Sequence, residues 1–195
     1  MGNNILSVKK QFFIAIVGLG SIGKRHADYF STVAKEMIFI DPSEQVAIWA
    51  REERKNKFRI FKNIKDAKAF IDRVKLPKMA VISNLGHQHY SSMIELYKIG
   101  FKNFFIEKPV VNALYQINQL SKMGIDKKVK IVAGFGWRYS QLPEKIIDIS
   151  QSYLGGLPIL IDMTGGAFGV VTNGIHFIDL AVSIFNTNPI SVISD

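Results

Sequence analysis

Residues Phe12 to His26 read FFIAIVGLGSIGKRH, a buried strand, a glycine-rich turn and a helix start in unbroken succession. The apolar run from Phe12 to Val17 has the length and β-branched content of a strand covered on both faces. Gly18, Gly20 and Gly23 follow in GxGxxG spacing. Gly18 permits the tight turn, Gly20 lets the backbone approach a pyrophosphate, and Gly23 lets the helix pack closely on the strand. The N–H groups of the helix's first turn, through Ser21, Ile22 and Gly23, face the phosphates.

Outward from this stretch, a second strand from Met37 to Ile40 ends in Asp41, 18 residues after Gly23. A carboxylate there accepts hydrogen bonds from the adenosine ribose hydroxyls and repels a 2′-phosphate, which favours NAD over NADP. Strand and helix then alternate. A helix over Ser43–Lys55 turns Val46, Ile48 and Trp49 inward. A strand at Phe58–Phe61 and a helix around Asp66–Val74 follow, then a strand at Met79–Ser83 and a helix at Ser91–Ile99 closed by Gly100. A strand at Asn103–Ile106 and a helix at Asn112–Met123 complete the run. The pattern predicts a doubly wound parallel α/β sheet of Rossmann type, a dinucleotide-binding domain over residues 1–125.

Past Gly124–Lys128 the character changes, and residues 126–195 read as a partial α+β domain for substrate binding and oligomerisation. Strands are expected at Val129–Phe135, Leu157–Met163 and Ile190–Ile193, and helices at Leu142–Ser152 and Ile175–Phe185, with a pliant loop at Gly165, Gly166 and Gly169. A sheet edge left unpaired beyond the last strand invites a homo-oligomer.

With 195 residues and 48% hydrophobic content, the chain buries one good core with room for a second small one. It has no cysteine, hence no disulfide frame and no thiolate chemistry, which fits a reducing cytoplasm. The net charge of +9 is uneven: residues 1–125 carry 20 basic and 10 acidic side chains. The excess between Arg51 and Lys78 reads as a solvated helix face, and with no nucleic-acid-binding pattern beside it no nucleic-acid partner is expected. No apolar stretch approaches the roughly 20 residues of a membrane helix. His87 and His89 alternate but lack a third ligand, so no metal is expected.

Glu107-Lys108-Pro109 follows the strand Asn103–Ile106, at the sheet edge where ligands bind in open α/β sheets. A lysine there can donate to a substrate oxygen and share its proton; alone, the triplet also reads as a turn whose proline stops the strand. Together with the glycine loop it resembles the Gfo/Idh/MocA family of nicotinamide oxidoreductases. GLGSIGKRH is similar to the family's GxGxIGxxH, and Glu107-Lys108-Pro109 to its EKP signature. SNLGHQHY, from Ser83 to Tyr90, sits where the family has its TPxxxH loop against the cofactor, with His89 matching the histidine. GFGWRYS, from Gly134, resembles the opening of the family's second domain, and GIHFIDL, from Gly174, its GxHxxD segment.

The resemblance implies hydride transfer between a nicotinamide and a hydroxyl-bearing carbon of a sugar, nucleotide sugar or cyclitol. It makes Lys108 and His176 the catalytic pair, and implies a cis bond between Lys108 and Pro109. Asn84, His89, Glu107 and Lys108 join Gly18, Gly20, Ser21, Ile22, Gly23 and Asp41 around the cofactor. Asp179 either orients His176 or pairs structurally. Arg138, Tyr139, Asn173 and Asp179 are candidates for contact with a sugar-like substrate. Three departures stand out. Thr172 occupies the position of an Asp four residues before the histidine; Asn84-Leu85 replaces the usual Thr-Pro; and family members continue well past the GxHxxD helix. The chain is therefore read as part of a longer product or as a reduced protein that borrows its missing wall. The competing reading is an NAD(H)-binding module without turnover.

Overall fold

The computed structural model describes residues 11–52, 58–164, 169, 173–191 and 193, with backbone alone at 126 and 127. The described residues through Ala133 make one compact unit. Its strands are β1 (Phe13–Val17), β2 (Glu36–Ile40), β3 (Arg59–Phe61), β4 (Lys78–Ile82), β5 (Asn103–Ile106) and β6 (Lys130–Ala133). Between them run α1 (Ser21–Val33), α2 (Glu44–Glu52), α3 (Ile64–Ile71), a 3₁₀ turn (Gly86–Gln88), α4 (His89–Lys98) and α5 (Leu114–Lys127). The sheet order is β3-β2-β1-β4-β5-β6, with every pairing parallel. This is the doubly wound Rossmann arrangement, with β1 and β4 at the point where strand order reverses.

Alternation along the strands feeds two cores. Ile14, Ile16, Met37, Phe39 and Val81 pack with Ala27, Val46, Trp49 and Ala50 of α1 and α2. Phe13, Ala15, Val17, Ile38, Ile40, Ala80 and Ile82 pack instead with residues of α3, α4 and α5, among them Ala67, Met93, Leu96 and Leu120. All five residues of β1 are buried, as a central strand covered on both faces requires. Ile48, expected inward, is 43% exposed, because one helical face seats Val46, Trp49 and Ala50 and leaves it outside.

Helix boundaries shift for local reasons. The start of α3 lies at Ile64, two residues ahead of the expected start, because Asn63 caps the helix with its Oδ1 accepting the Asp66 N–H at 2.9 Å. Gly100, at φ +98°, closes α4 with its N–H on the Tyr97 carbonyl at 3.0 Å. The Lys55 end expected for α2 lies outside the described residues.

The expected boundary at residue 125 moves. α5 continues through Gly124 to Lys127, and β6 pairs with β5 from Asn103↔Lys130 to Ile106↔Ala133. The strand expected to open the second domain is thus the sixth strand of the first sheet, and the second unit starts at Gly134. That unit carries α6 (Leu142–Leu154) and α7 (Ile175–Phe185). Leu157–Met163 is not a strand: Ile159 and Leu160 are fully or largely exposed, and Pro158 has no N–H to give a ladder. No strand forms among the described residues of Ile190–Ile193 either. A strand needs a paired neighbour, and the described residues of this unit offer none. The α+β character expected for the second domain is therefore not observed there. Of the glycine loop, Gly165 and Gly166 lie outside the described residues. No helix among the described residues is long and apolar enough to cross a membrane.

Candidate functional site

The registers set the site. Val17 lies beside Ile40 and Ile82, and Ile82 beside Ile106, so β1, β2, β4 and β5 end level on one edge. The loops that leave that edge carry Gly18–Gly20, Asp41–Ser43, Ser83–Gln88 and Glu107–Pro109.

Each glycine of the loop has a distinct job. Gly18 sits at φ +83°, and a Cβ there would lie 2.3 Å from the Asn84 backbone. A Cβ on Gly23 would lie 1.9 Å from the Gly18 carbonyl oxygen, so the helix start is packed directly on the turn. Ser83 Oγ donates to the same Gly18 carbonyl at 2.8 Å. A Cβ on Gly20 would meet nothing within 4 Å, so the space in front of the turn is open. Gly20 also precedes α1, whose N terminus has no side-chain cap and no acidic residue in its first turn. The amides of Ser21, Ile22 and Gly23 are left to an anion.

Asp41 is fixed against the loop. Its Oδ2 accepts the Leu19 N–H at 2.7 Å and its Oδ1 the Ser43 N–H at 2.8 Å. The carboxylate borders a cavity of about 290 Å³ lined also by Ser43, Ala47, Arg51, Phe58 and Phe61. Asn84 donates from Nδ2 to Ser92 Oγ at 2.9 Å, while its Oδ1 is buried without a hydrogen-bond partner among the described residues. His89 is 1% exposed, with Nδ1 2.8 Å from the Pro109 carbonyl and Nε2 2.9 Å from the Asn84 carbonyl. It joins the β4 loop to the β5 loop, and both ring nitrogens face the backbone.

Lys108 follows β5, half-buried, and the Lys108-Pro109 peptide is cis, as the resemblance implies. Glu107 Oε1 lies 2.7 Å from His26 Nε2 of α1. Burial pushes the Glu107 carboxyl up, but the His26 hydrogen bond and charge, with the backbone amide and charge of Lys108, hold it below its usual value of 4.5. Ionised Glu107 therefore favours the folded state above the ordinary carboxylate range, and that contribution drains away as pH falls through the lowered value. Glu107→Gln should lower stability by about 2 kcal/mol at neutral pH. The gap to the parent should narrow below pH 4.5. Unfolding curves from neutral to acid pH check this, and a gap independent of pH would contradict it.

In the second unit, α7 carries His176 and Asp179. His176 lies against Phe135, edge-on at 5.9 Å, and Trp137 at 5.5 Å. Asp179 Oδ1 takes both Arg138 Nε, at 2.9 Å, and Nη2, at 2.6 Å. This bond raises the Arg138 pKa against the cost of its burial. Arg138 and Asp179, named separately as substrate contacts, thus neutralise one another, and of the two roles open for Asp179 the pairing is the one observed. The Asn173 N–H donates to the Gly169 carbonyl at 2.9 Å. Thr172 lies outside the described residues. The His26–Glu107 pair escaped the sequence reading, although His26 closes the motif three residues after Gly23 and so shares its helix face.

The loop edge fits a dinucleotide on three counts: open space before Gly20, an uncapped helix start, and the buried, unmatched Asn84 oxygen. Comparison with known proteins agrees. A family model described as "Oxidoreductase family, NAD-binding Rossmann fold" matches residues 12–135. No curated protein sequence matches. Among solved structures, the fold is similar to scyllo-inositol dehydrogenase from Lactobacillus casei with NAD(H) and scyllo-inositol bound, at TM-score 0.70 and 20% identity over 90% of this chain and 56% of that one. Myo-inositol 2-dehydrogenase from Lactobacillus plantarum gives 0.65 and 22%, over 90% and 56%. The WlbA dehydrogenase from Thermus thermophilus with NAD and α-ketoglutarate gives 0.68 and 18%, over 89% and 62%. The chain spans little more than half the length of these proteins. With the family model covering most of its residues, and with the glycine loop, Asp41 and the Glu107-Lys108-Pro109 turn on one sheet edge, the chain belongs to the Gfo/Idh/MocA family of NAD-binding oxidoreductases.

Proposed function

We propose that this protein oxidises or reduces a hydroxyl-bearing carbon of a sugar, nucleotide sugar or cyclitol, with NAD preferred to NADP. The observation that carries the reading is Lys108, placed directly after β5 on the edge where the glycine loop and Asp41 open. Bound NAD supplies a nicotinamide ring that accepts or gives a hydride at C4. Ser21, Ile22 and Gly23 offer backbone N–H groups to the pyrophosphate, and Asp41 takes the ribose hydroxyls. Asn84 Oδ1 has an acceptor to offer a carboxamide or ribose hydroxyl. His89 acts on that contact through the two loops it joins.

Lys108, as the neutral amine, accepts a hydrogen bond from the substrate hydroxyl and takes up its proton as the carbon gives its hydride to the nicotinamide. The family resemblance gives His176 of the second unit a proton-relay role and Asn173 a polar contact with substrate; within that unit Arg138 and Asp179 brace α7. The first unit supports the cofactor half of this assignment; the substrate half rests on the family resemblance of GFGWRYS and GIHFIDL. Thr172, where many relatives carry Asp, favours a second reading, an NAD(H)-binding module that does not turn substrate over.

Calorimetric titration with NADH and NADPH tests the cofactor reading. NADH should bind in the low micromolar range with NADPH about tenfold weaker or more, a difference of about 1.4 kcal/mol. Asp41→Ala should narrow that ratio. Failure of both dinucleotides to bind would sink the proposal, whereas tight NADH binding without turnover of any cyclitol or sugar would select the second reading.

A further inference from the structure

The GLGSIGKRH stretch ends in a histidine that the phosphate contacts leave unused. His26 shares the helix face of Gly23, the face that packs on the sheet. Phe105 meets its ring edge-on at 5.0 Å, and Phe30 lies at 6.2 Å. Its Nε2 is 2.7 Å from Glu107 Oε1, and the two side chains are 19% and 17% exposed. The helix beneath it is seated without slack, since Gly23 touches the Gly18 carbonyl too closely for even one methyl group. On the other side, the Glu107 N–H donates to the Ile82 carbonyl at 2.8 Å, and the Glu107 carboxylate takes the backbone amide of Lys108.

We propose that His26 is a positioning residue that acts through Glu107 to fix the turn bearing Lys108. The helix whose N terminus receives the phosphates thereby also sets the place of the lysine that meets the substrate. A surface ion pair would not have this effect, because two mobile side chains in water hold nothing still. Here the imidazole is wedged by two aromatic rings, and the carboxylate is shared between that imidazole and the amide of the next residue. No other cation of α1 is set to replace it: Lys24 Nζ lies over the Trp49 ring at 4.8 Å, and Arg25 is exposed. Losing His26 leaves a largely buried carboxylate with one donor fewer, and the turn must open to hydrate it.

The inference rests on the reading of Lys108 given above, and the experiment separates the two. His26→Leu, His26→Gln and Lys108→Ala would be compared with the parent chain by backbone amide exchange, NADH titration and turnover of NAD with scyllo-inositol as probe substrate. His26→Leu should speed exchange of the Lys108 amide by about tenfold while β1 and β4 keep their protection, the mark of a local opening. Turnover should fall by about tenfold with the KM for NAD changed much less, the split expected when geometry at the reacting carbon is lost. His26→Gln, whose amide can still donate to Glu107, should recover most of both effects. An unchanged Lys108 amide in His26→Leu would overturn the proposal. So would exchange raised equally through β1, β4 and β5 with no rescue by Gln. If Lys108→Ala turns over like the parent, or the parent does not act on the probe, the reading of Lys108 fails or lapses while the exchange measurement still decides the role of His26.

Discussion

Gly23→Ala should cost about 3 kcal/mol or more of stability, while Gly20→Ala, three residues away, should change stability by no more than about 1 kcal/mol and yet abolish tight NADH binding. The two glycines occupy one loop and differ in what their missing side chain would meet. At Gly23 a methyl group would sit 1.9 Å from the Gly18 carbonyl oxygen and 2.9 Å from its carbon, backbone atoms with no rotamer to yield. Relief requires α1 to lift off the turn, which strips Ala27 and Leu19 from a core where each is 1% exposed. At Gly20 the methyl group meets nothing within 4 Å, and the backbone, at φ −64°, suits any L-residue. The new atom then occupies the space in front of the uncapped helix, where the pyrophosphate must come within hydrogen-bonding distance of the amides. Melting curves and NADH titrations on both variants provide the check. A Gly20→Ala protein that binds NADH like the parent would remove the phosphates from this loop. A Gly23→Ala protein of parental stability would show that the helix is free to move, and with it His26.

What could be read in the sequence was what is local. The glycine loop declared itself because strand, turn and helix start are contiguous, and Gly18 and Gly23 are required by contacts within that short segment or just across from it. Asp41 was legible for the same reason, as the first residue after a strand with a clean apolar pattern. β6 was placed in the wrong domain because composition shifts near Gly124, while membership of a sheet is decided by pairing with β5, which no local pattern encodes. The apolar run Leu157–Met163 imitates a strand by composition alone. The pair that ties α1 to the Lys108 turn spans 81 residues of sequence, so nothing short of the fold could have joined them. Arg138 and Asp179 were likewise seen as two separate polar residues until the helix placed one carboxylate oxygen against two guanidinium nitrogens.

Lys108→Ala should lower turnover by about 100-fold to 10,000-fold, the range supplied by a positioned general acid or base, with little change in the affinity for NADH. The expectation of unequal effects follows from the division of labour at the sheet edge. On the proposed reading the dinucleotide is held mainly by backbone amides of the glycine loop and by Asp41, whose two oxygens are themselves fixed by the Leu19 and Ser43 amides. None of these contacts depends on the Lys108 side chain. Glu107 keeps its bond to His26 when only the neighbouring side chain is trimmed, so the turn should hold its shape. A loss confined to kcat would then mark an interaction made as the proton moves and not before. Lys108→Arg refines the result. Arginine keeps the positive charge but cannot deprotonate near neutral pH, so recovery by arginine would assign the side chain to charge alone, while continued loss would assign it to proton transfer. Equal loss of NADH affinity and turnover would instead place Lys108 on the cofactor.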